Sequence, residues 1–214
     1  IMEVFKITNM KNQTHGGMQW GKGIEWWVFG SGAAFCSPDL IHFYDHPLLA
    51  VLHNPLHVNY IPALLWRGEA SGQIFSDRGM KWGCKRFCTL EQIPLPVVTE
   101  NQRVAYGILC ALAVYPETNW VAWAQSWLDG TDRSRLAAHV AAEAAADRTG
   151  EAASTGARAA TRAASAAYAI PVYAIPAAAL AAYAAQAAAN VAMAMGREFR
   201  LLPYAEAALL VKEE

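Results

Sequence analysis

Three pairs of metal-type side chains share one spacing: His42 and His46, His53 and His57, and Cys84 and Cys88 each lie four residues apart. Together they offer six nitrogen or sulfur donors of the kind zinc takes. Pro47 follows the first histidine pair and Pro55 divides the second, so neither pair is expected within one unbroken helix. In a strand, Cys84 and Cys88 would point to the same side over a long span. No metal site is therefore assigned. Cys36 lacks the surroundings of a catalytic elbow and is read as a small buried hydrophobe.

Two further segments carry ligand-type chemistry. Residues 15–23, His-Gly-Gly-Met-Gln-Trp-Gly-Lys-Gly, form a glycine-rich loop that sets backbone N–H groups beside an imidazole, an amide, an indole and an ammonium. The loop matches neither a phosphate-binding loop nor a dinucleotide fingerprint. Residues 81–87, Lys-Trp-Gly-Cys-Lys-Arg-Phe, interleave cations with aromatics, as the edge of an anion-binding strand would. Simple alternation puts Lys81, Lys85 and Phe87 on one face and Trp82, Cys84, Arg86 and Cys88 on the other.

The elements that must position these groups follow from composition and pattern. The 214 residues are 55% hydrophobic and 16% charged, enough apolar side chain for one or two domains with a sizeable core. With 17 Lys+Arg against 18 Asp+Glu the formal net charge is −1, which removes whole-molecule attraction to nucleic-acid backbones or anionic lipid as a main mechanism. Four cysteines, with no charged-then-apolar leader before them, point to the cytoplasm. Residues 177–195 are long enough to span a bilayer, yet they are mostly alanine and contain Gln186 and Asn190. Alanine gains little from hydrocarbon, so a close-packed soluble helix is expected.

Composition changes sharply near Gly130, because all eight tryptophans lie at or before Trp127 and alanine dominates from Ser134 to Met195. Residues 3–8, 25–29, 41–44, 63–69 and 81–89 are aromatic or β-branched runs between turn residues and are expected as strands. Pro47 opens a short helix over 47–53, capped by Asp45 or His46 and ended by Pro55. Thr99 and Gln102 have the spacing of a capping box before a helix over 104–115, which Pro116 stops. Thr118 or Asn119 starts another, whose stripe of Trp120, Trp123 and Trp127 is expected to glue it onto the sheet. Beyond Gly130, Thr131 or Asp132 caps a helix to Asp147, Gly150 breaks it, and a second runs from Glu151 to Tyr168. A long alanine helix then ends at Gly196, Phe199–Leu202 reads as a brief extended return, and residues 204–212 as a last helix. The fold class is therefore α+β. It comprises a small mixed or antiparallel sheet domain with short helices (1–98), a tryptophan-rich helical connector packed on the sheet (99–130), and an alanine-rich α-helical hairpin or bundle (131–214).

Lys6 to Thr8, Gly17 to Trp20 with Gly23, Cys36-Ser37, Ile41 to Tyr44, Pro47 to Ala50, Leu65 to Glu69 with Gly72, and Cys88 to Ile93 compose one pattern. It resembles a family of small uncharacterised domains of unknown function encoded by tailed phages, prophages and some bacteria, whose members often continue into alanine-rich helical repeats. The resemblance spans residues 3–95 and implies an α+β domain of phage type. Its recurrent polar positions correspond to Gln19, His42 and the Arg67–Glu69 strand, with Trp20 and Tyr44 as aromatic neighbours. The family favours an arginine where this chain has His15 or Gly16, and a small residue where it has Phe43.

With the loop and the strand edge added, the candidate ligand-binding residues are His15, Gln19, Trp20, His42, Tyr44, Arg67, Glu69, Lys81 and Arg86. No catalytic residue and no cofactor is assigned. The expected function is binding without turnover: a phage-type protein that sequesters a host nucleotide signal used in antiviral defence, or binds a host defence protein. It is expected to self-associate through its helical half, with no role for membrane or nucleic acid. An enzymatic alternative stays open, because strand Leu40–Tyr44 and helix Pro47–Leu52 distantly resemble the strand-histidine-helix start of ADP-ribosyltransferases. There His42 would hold the ribose of an NAD-like substrate and Glu69 would stand for the catalytic glutamate. A structural alternative uses the alanine-rich helices as an assembly surface.

Overall fold

The computed structural model describes residues 2–31, 35, 37–148, 154–170 and 174–212. It divides into two compact units, Ile1–Val97 and Val98–Glu214. The roles read for Cys36 and Gly150 lie outside the described residues.

The first unit carries strands β1 (Met2–Asn9), β2 (Glu25–Trp27), β3 (Ile41–Phe43), β4 (Ala63–Asp77) and β5 (Lys81–Ile93), with helix α1 (Pro47–His57) between β3 and β4. Every pairing is antiparallel: β1 on β4, β4 on β5, and β2 and β3 one after the other along the far edge of β5. Tyr44, directly after β3, exchanges two backbone hydrogen bonds of 2.8 Å with Phe5 of β1. The ladder thereby closes on itself, which removes much of the open edge that a five-stranded sheet would otherwise expose.

Period-two alternation in β1 explains which residues enter the interior. Val4 joins Trp20, Ile41, Phe43, Ala70, Cys84 and Phe87 inside, whereas Phe5 and Ile7 pack on the other face with Tyr44, Leu65 and Ala50 of α1. Lys6 and Thr8 share the Val4 side and are both buried. β4 crosses the interior at Gly68, where a Cβ would stand 2.7 Å from the Phe87 ring and 2.5 Å from the Cys88 carbonyl oxygen. Glycine is what lets the strand pass there.

The ladder of β4 and β5 slips register between Arg67 and Gly68 and again between Ser71 and Ile74. The second slip upsets the alternation expected for residues 81–88. Cys84 and Phe87 both lie inside, although they are three residues apart, while Arg86 is exposed and Cys88 sits half-buried opposite Glu25 and Glu69. The two thiols therefore do not share a side. Both strands also outrun their expected ends at 69 and 89, because backbone pairing continues through the polar stretch from Ser71 to Asp77.

α1 starts as expected, with Nδ1 of His46 accepting the Leu48 N–H at 3.2 Å and Pro47 in the first turn. Pro55 does not end it, since a proline near the last turn removes only one ladder bond there. Asn54 stabilises the exit instead: its side chain donates to the Tyr60 carbonyl and accepts the Tyr60 N–H, and its own carbonyl accepts from Val58 and Asn59. The extra turn places His53 and His57 on one helix face.

The second unit holds α2 (Glu100–Leu112), α3 (Thr118–Asp129), α4 (Arg135–Ala146), α5 (Ser154–Ala169), α6 (Ala174–Ala194) and α7 (Leu201–Ala208). The capping box at Thr99 and Gln102 is formed on both sides. Within this unit α2 packs against α5, α6 and α7. Small side chains permit this: a Cβ on Gly107 of α2 would stand 3.0 Å from the Ala181 Cα of α6. Two arginines then clasp neighbouring helices. Arg135 lies over the Tyr168 ring and donates to its carbonyl at 3.2 Å, and Arg162 does the same to Tyr183 at 3.3 Å. α7 begins at Leu201, not after Pro203, because a proline in the first turn needs no N–H partner. Residues 175–194 of α6 are long and apolar enough to cross a membrane, and 56% of their most apolar 18-residue window is buried within the protein.

Candidate functional site

β3, α1 and the start of β5 gather a set of titratable and aromatic side chains. The rings of His53 and His57 meet edge to face at 5.7 Å, and the Tyr44 ring stacks on His57 at 5.8 Å. Tyr44 Oη and His57 Nδ1 are hydrogen-bonded at 2.9 Å. His53, fully buried, bonds the Met80 carbonyl through Nδ1 at 2.9 Å. His42 bonds the Phe35 carbonyl through Nε2 at 2.7 Å. A carbonyl only accepts, so the neutral rings carry their protons on Nδ1 of His53 and Nε2 of His42. The Phe35 ring tilts against His42 at 5.1 Å, and the Lys81 ammonium stands 5.6 Å from the Phe35 centroid.

Burial keeps these imidazoles uncharged. It lowers His53 to about 4 against the opposing pull of the Met80 carbonyl. His57 falls far below its usual range, through burial first and then the neighbouring His53, Lys81 and His42. His42 is also lowered, mainly by burial and further by Lys81 and Lys6, with the Phe35 carbonyl and Asp77 acting the other way. Burial raises the Tyr44 phenol, so Tyr44 keeps its proton and, at 6% exposure, braces His57.

Lys6 supports this face from within. Its amine donates to the His42 carbonyl at 2.7 Å and lies 4.4 Å from the Trp20 ring centroid and 5.4 Å from that of Phe87. Burial lowers its pKa to about 7, with Cys84 opposing.

The nine residues singled out in the sequence fall into three places. His42, Tyr44 and Lys81 come together here. His15, Gln19 and Trp20 belong to the loop after β1, where the Gln19 amide donates to the Lys11 and Trp20 carbonyls and Trp20, 1% exposed, donates to Thr14 and packs into the core. His15 is exposed in a short 3-10 turn. Arg67, Glu69 and Arg86 lie away from the interior on β4 and β5: Arg67 bridges Glu3 and Glu91, Arg86 pairs with Glu25 and covers Trp27, and Glu69 stands opposite Cys88. Lys85 is committed to the Gly30 and Asp39 carbonyls.

Lys6, Phe35, His53 and His57 join this site without being marked for it by the sequence pattern. Lys6 had a signal for burial, since it sits between Val4 and Thr8 on the inward side of an alternating strand. His53 and His57 stand one turn apart once Pro55 is allowed inside the helix. Among the described residues, no group of three or more histidine, cysteine, aspartate or glutamate side chains is arranged to hold a metal ion. Glu69 and His42 are also far from sharing one bond of a substrate. They oppose Cys88 and Gly83 of β5, five residues apart, or about 16 Å along the strand.

Compared with protein-family models, curated proteins and solved structures, the chain matches none.

Proposed function

We propose that the first unit binds a small anionic ligand of nucleotide type without turning it over, as a phage-type protein that sequesters a host nucleotide signal in the cytoplasm. The observation that carries this reading is the row formed by Lys81, Phe35 and His42, whose groups follow one another at 5.6 Å and 5.1 Å on half-buried side chains beside His57. Lys81 supplies charge for a phosphate, Phe35 a face for a base, and His42 a polar ring nitrogen. Binding is favoured over turnover because Tyr44 is buried with its proton retained and Glu69 is remote from His42.

Calorimetric titration with nucleoside phosphates, cyclic nucleotides and NAD, followed by chromatography of the recovered ligand, tests this. One-to-one binding of an intact molecule, weakened at least tenfold by Lys81→Met, about 1.4 kcal/mol, is the expected result. Recovery of a cleaved product transfers the reading to the ADP-ribosyltransferase alternative. No binding by any of them removes the nucleotide reading.

A second reading, docking of a host defence protein, is favoured by the edge strand β2. Trp27 is 54% exposed under the Arg86 guanidinium, and Phe29 just beyond is 84% exposed. Trp27→Ser would then abolish capture of the partner and leave nucleotide affinity unchanged. Self-association through the helical unit is supported by Leu136 and Val140, 72% and 57% exposed one turn apart on α4, and is read by sedimentation of the full chain.

A further inference from the structure

Resting on the binding site just proposed, the geometry points to proton-coupled binding: an anion that reaches the His42 edge is taken up together with one proton, which lands on His42 Nδ1. The tautomer forces this. The 2.7 Å bond to the Phe35 carbonyl fixes the ring proton on Nε2, so in the neutral ring Nδ1 presents a lone pair. A phosphate oxygen meeting that lone pair is an acceptor against an acceptor. When solvent or buffer delivers a proton, Nδ1–H donates to the phosphate oxygen, and the imidazolium keeps its Nε2 bond to Phe35.

The surroundings choose His42 over its neighbours. His53 is fully buried with Nδ1 engaged by Met80. His57 is held at Nδ1 by Tyr44 and stands among His53, Lys81 and His42, so a charge on His42 opposes a second on His57. Around His42 the charged groups are Lys81 and Lys6, which oppose its protonation, and Asp77, which favours it. A bound anion offsets Lys81 and tips that balance. In the empty site burial holds the ring neutral; in the filled site it is charged.

The test uses probes whose phosphates do not titrate near neutrality: 3′,5′-cyclic AMP, cyclic di-AMP and NAD. Each is titrated calorimetrically at pH 6.5 and 7.5 in buffers of different ionisation heat. The probe that binds is expected to do so more weakly at pH 7.5, by up to about tenfold, the limit for uptake of one proton, with matching proton uptake in the buffer comparison. On saturation the His42 Nδ1 resonance moves from the lone-pair to the protonated 15N position. Lys81→Met weakens binding at both pH values, whereas His42→Gln flattens the slope. Equal affinity at both pH values with no proton uptake overturns the inference and leaves the binding site standing. No binding by any probe at either pH overturns the binding site, and the inference with it.

Discussion

The Lys6 amine reaches through the interior of the closed sheet to the backbone carbonyl of His42, 2.7 Å away, and so ties β1 to the residue whose ring forms the candidate site. The two aromatic rings beside it stabilise the ammonium form, and burial disfavours it. Burial prevails, with the pKa lowered from 10.5 to about 7.

That shift gives a pH signature. Between pH 7 and 10.5 the unfolded chain holds a Lys6 proton that the folded chain has released, so stability rises with pH through this window, by at most about 1.4 kcal/mol per pH unit. Urea unfolding at pH 7.0, 8.0 and 9.0 is expected to show that rise in the parent chain and its loss in Lys6→Met. Parallel curves for the two proteins would mean that Lys6 is solvated.

His53 acts in the acid range. Its folded pKa of about 4 lies below its ordinary 6.5, so the stability it contributes is complete above pH 6.5 and is lost as pH falls toward 4. Acid unfolding followed by tryptophan fluorescence should be shallower in His53→Gln, which keeps a donor for Met80.

Gly68→Ala drives a methyl group into the Phe87 ring and the Cys88 carbonyl. The expected loss is about 1–3 kcal/mol, measured by thermal melting, because the obstacle includes backbone that cannot turn aside. Ser71→Ala, three residues beyond the sheet's close crossing, serves as the control with a change near zero.

Thr99→Ala removes the side-chain half of the α2 capping box and is expected to cost about 1 kcal/mol. Circular dichroism melts read the loss, and Thr99→Ser restores most of it.

The α+β class, the position of every strand and the helix starts at Pro47 and Thr99 were legible in the sequence, because each rests on local chemistry such as alternation, a proline or a capping pair. The helix that runs through Pro55 was not, since its end depends on Asn54 meeting Tyr60 beyond the helix. Nor were the sides taken by Cys84 and Cys88, which a register slip against Ser71 and Ile74 decides. Of the site, His42, Tyr44 and Lys81 were identified from residue type and resemblance. Their company depends on α1 folding back so that His57 meets Tyr44, and on β3 pairing with β5, His42 opposite Gly83 and Phe43 opposite Trp82, which brings Lys81 alongside and which no local pattern encodes. Trp20 shows the converse, a residue of ligand type that the interior claims.

Native mass spectrometry of the full chain, purified from cells in which a nucleotide-signalling defence is active, tests the proposed nucleotide binding most directly. One phosphate-bearing small molecule per chain, recovered chemically intact and absent from both Lys81→Met and His42→Gln, is the expected result. A chain of bare mass, or one carrying a cleaved product, would contradict sequestration at the face formed by Lys81, Phe35 and His42.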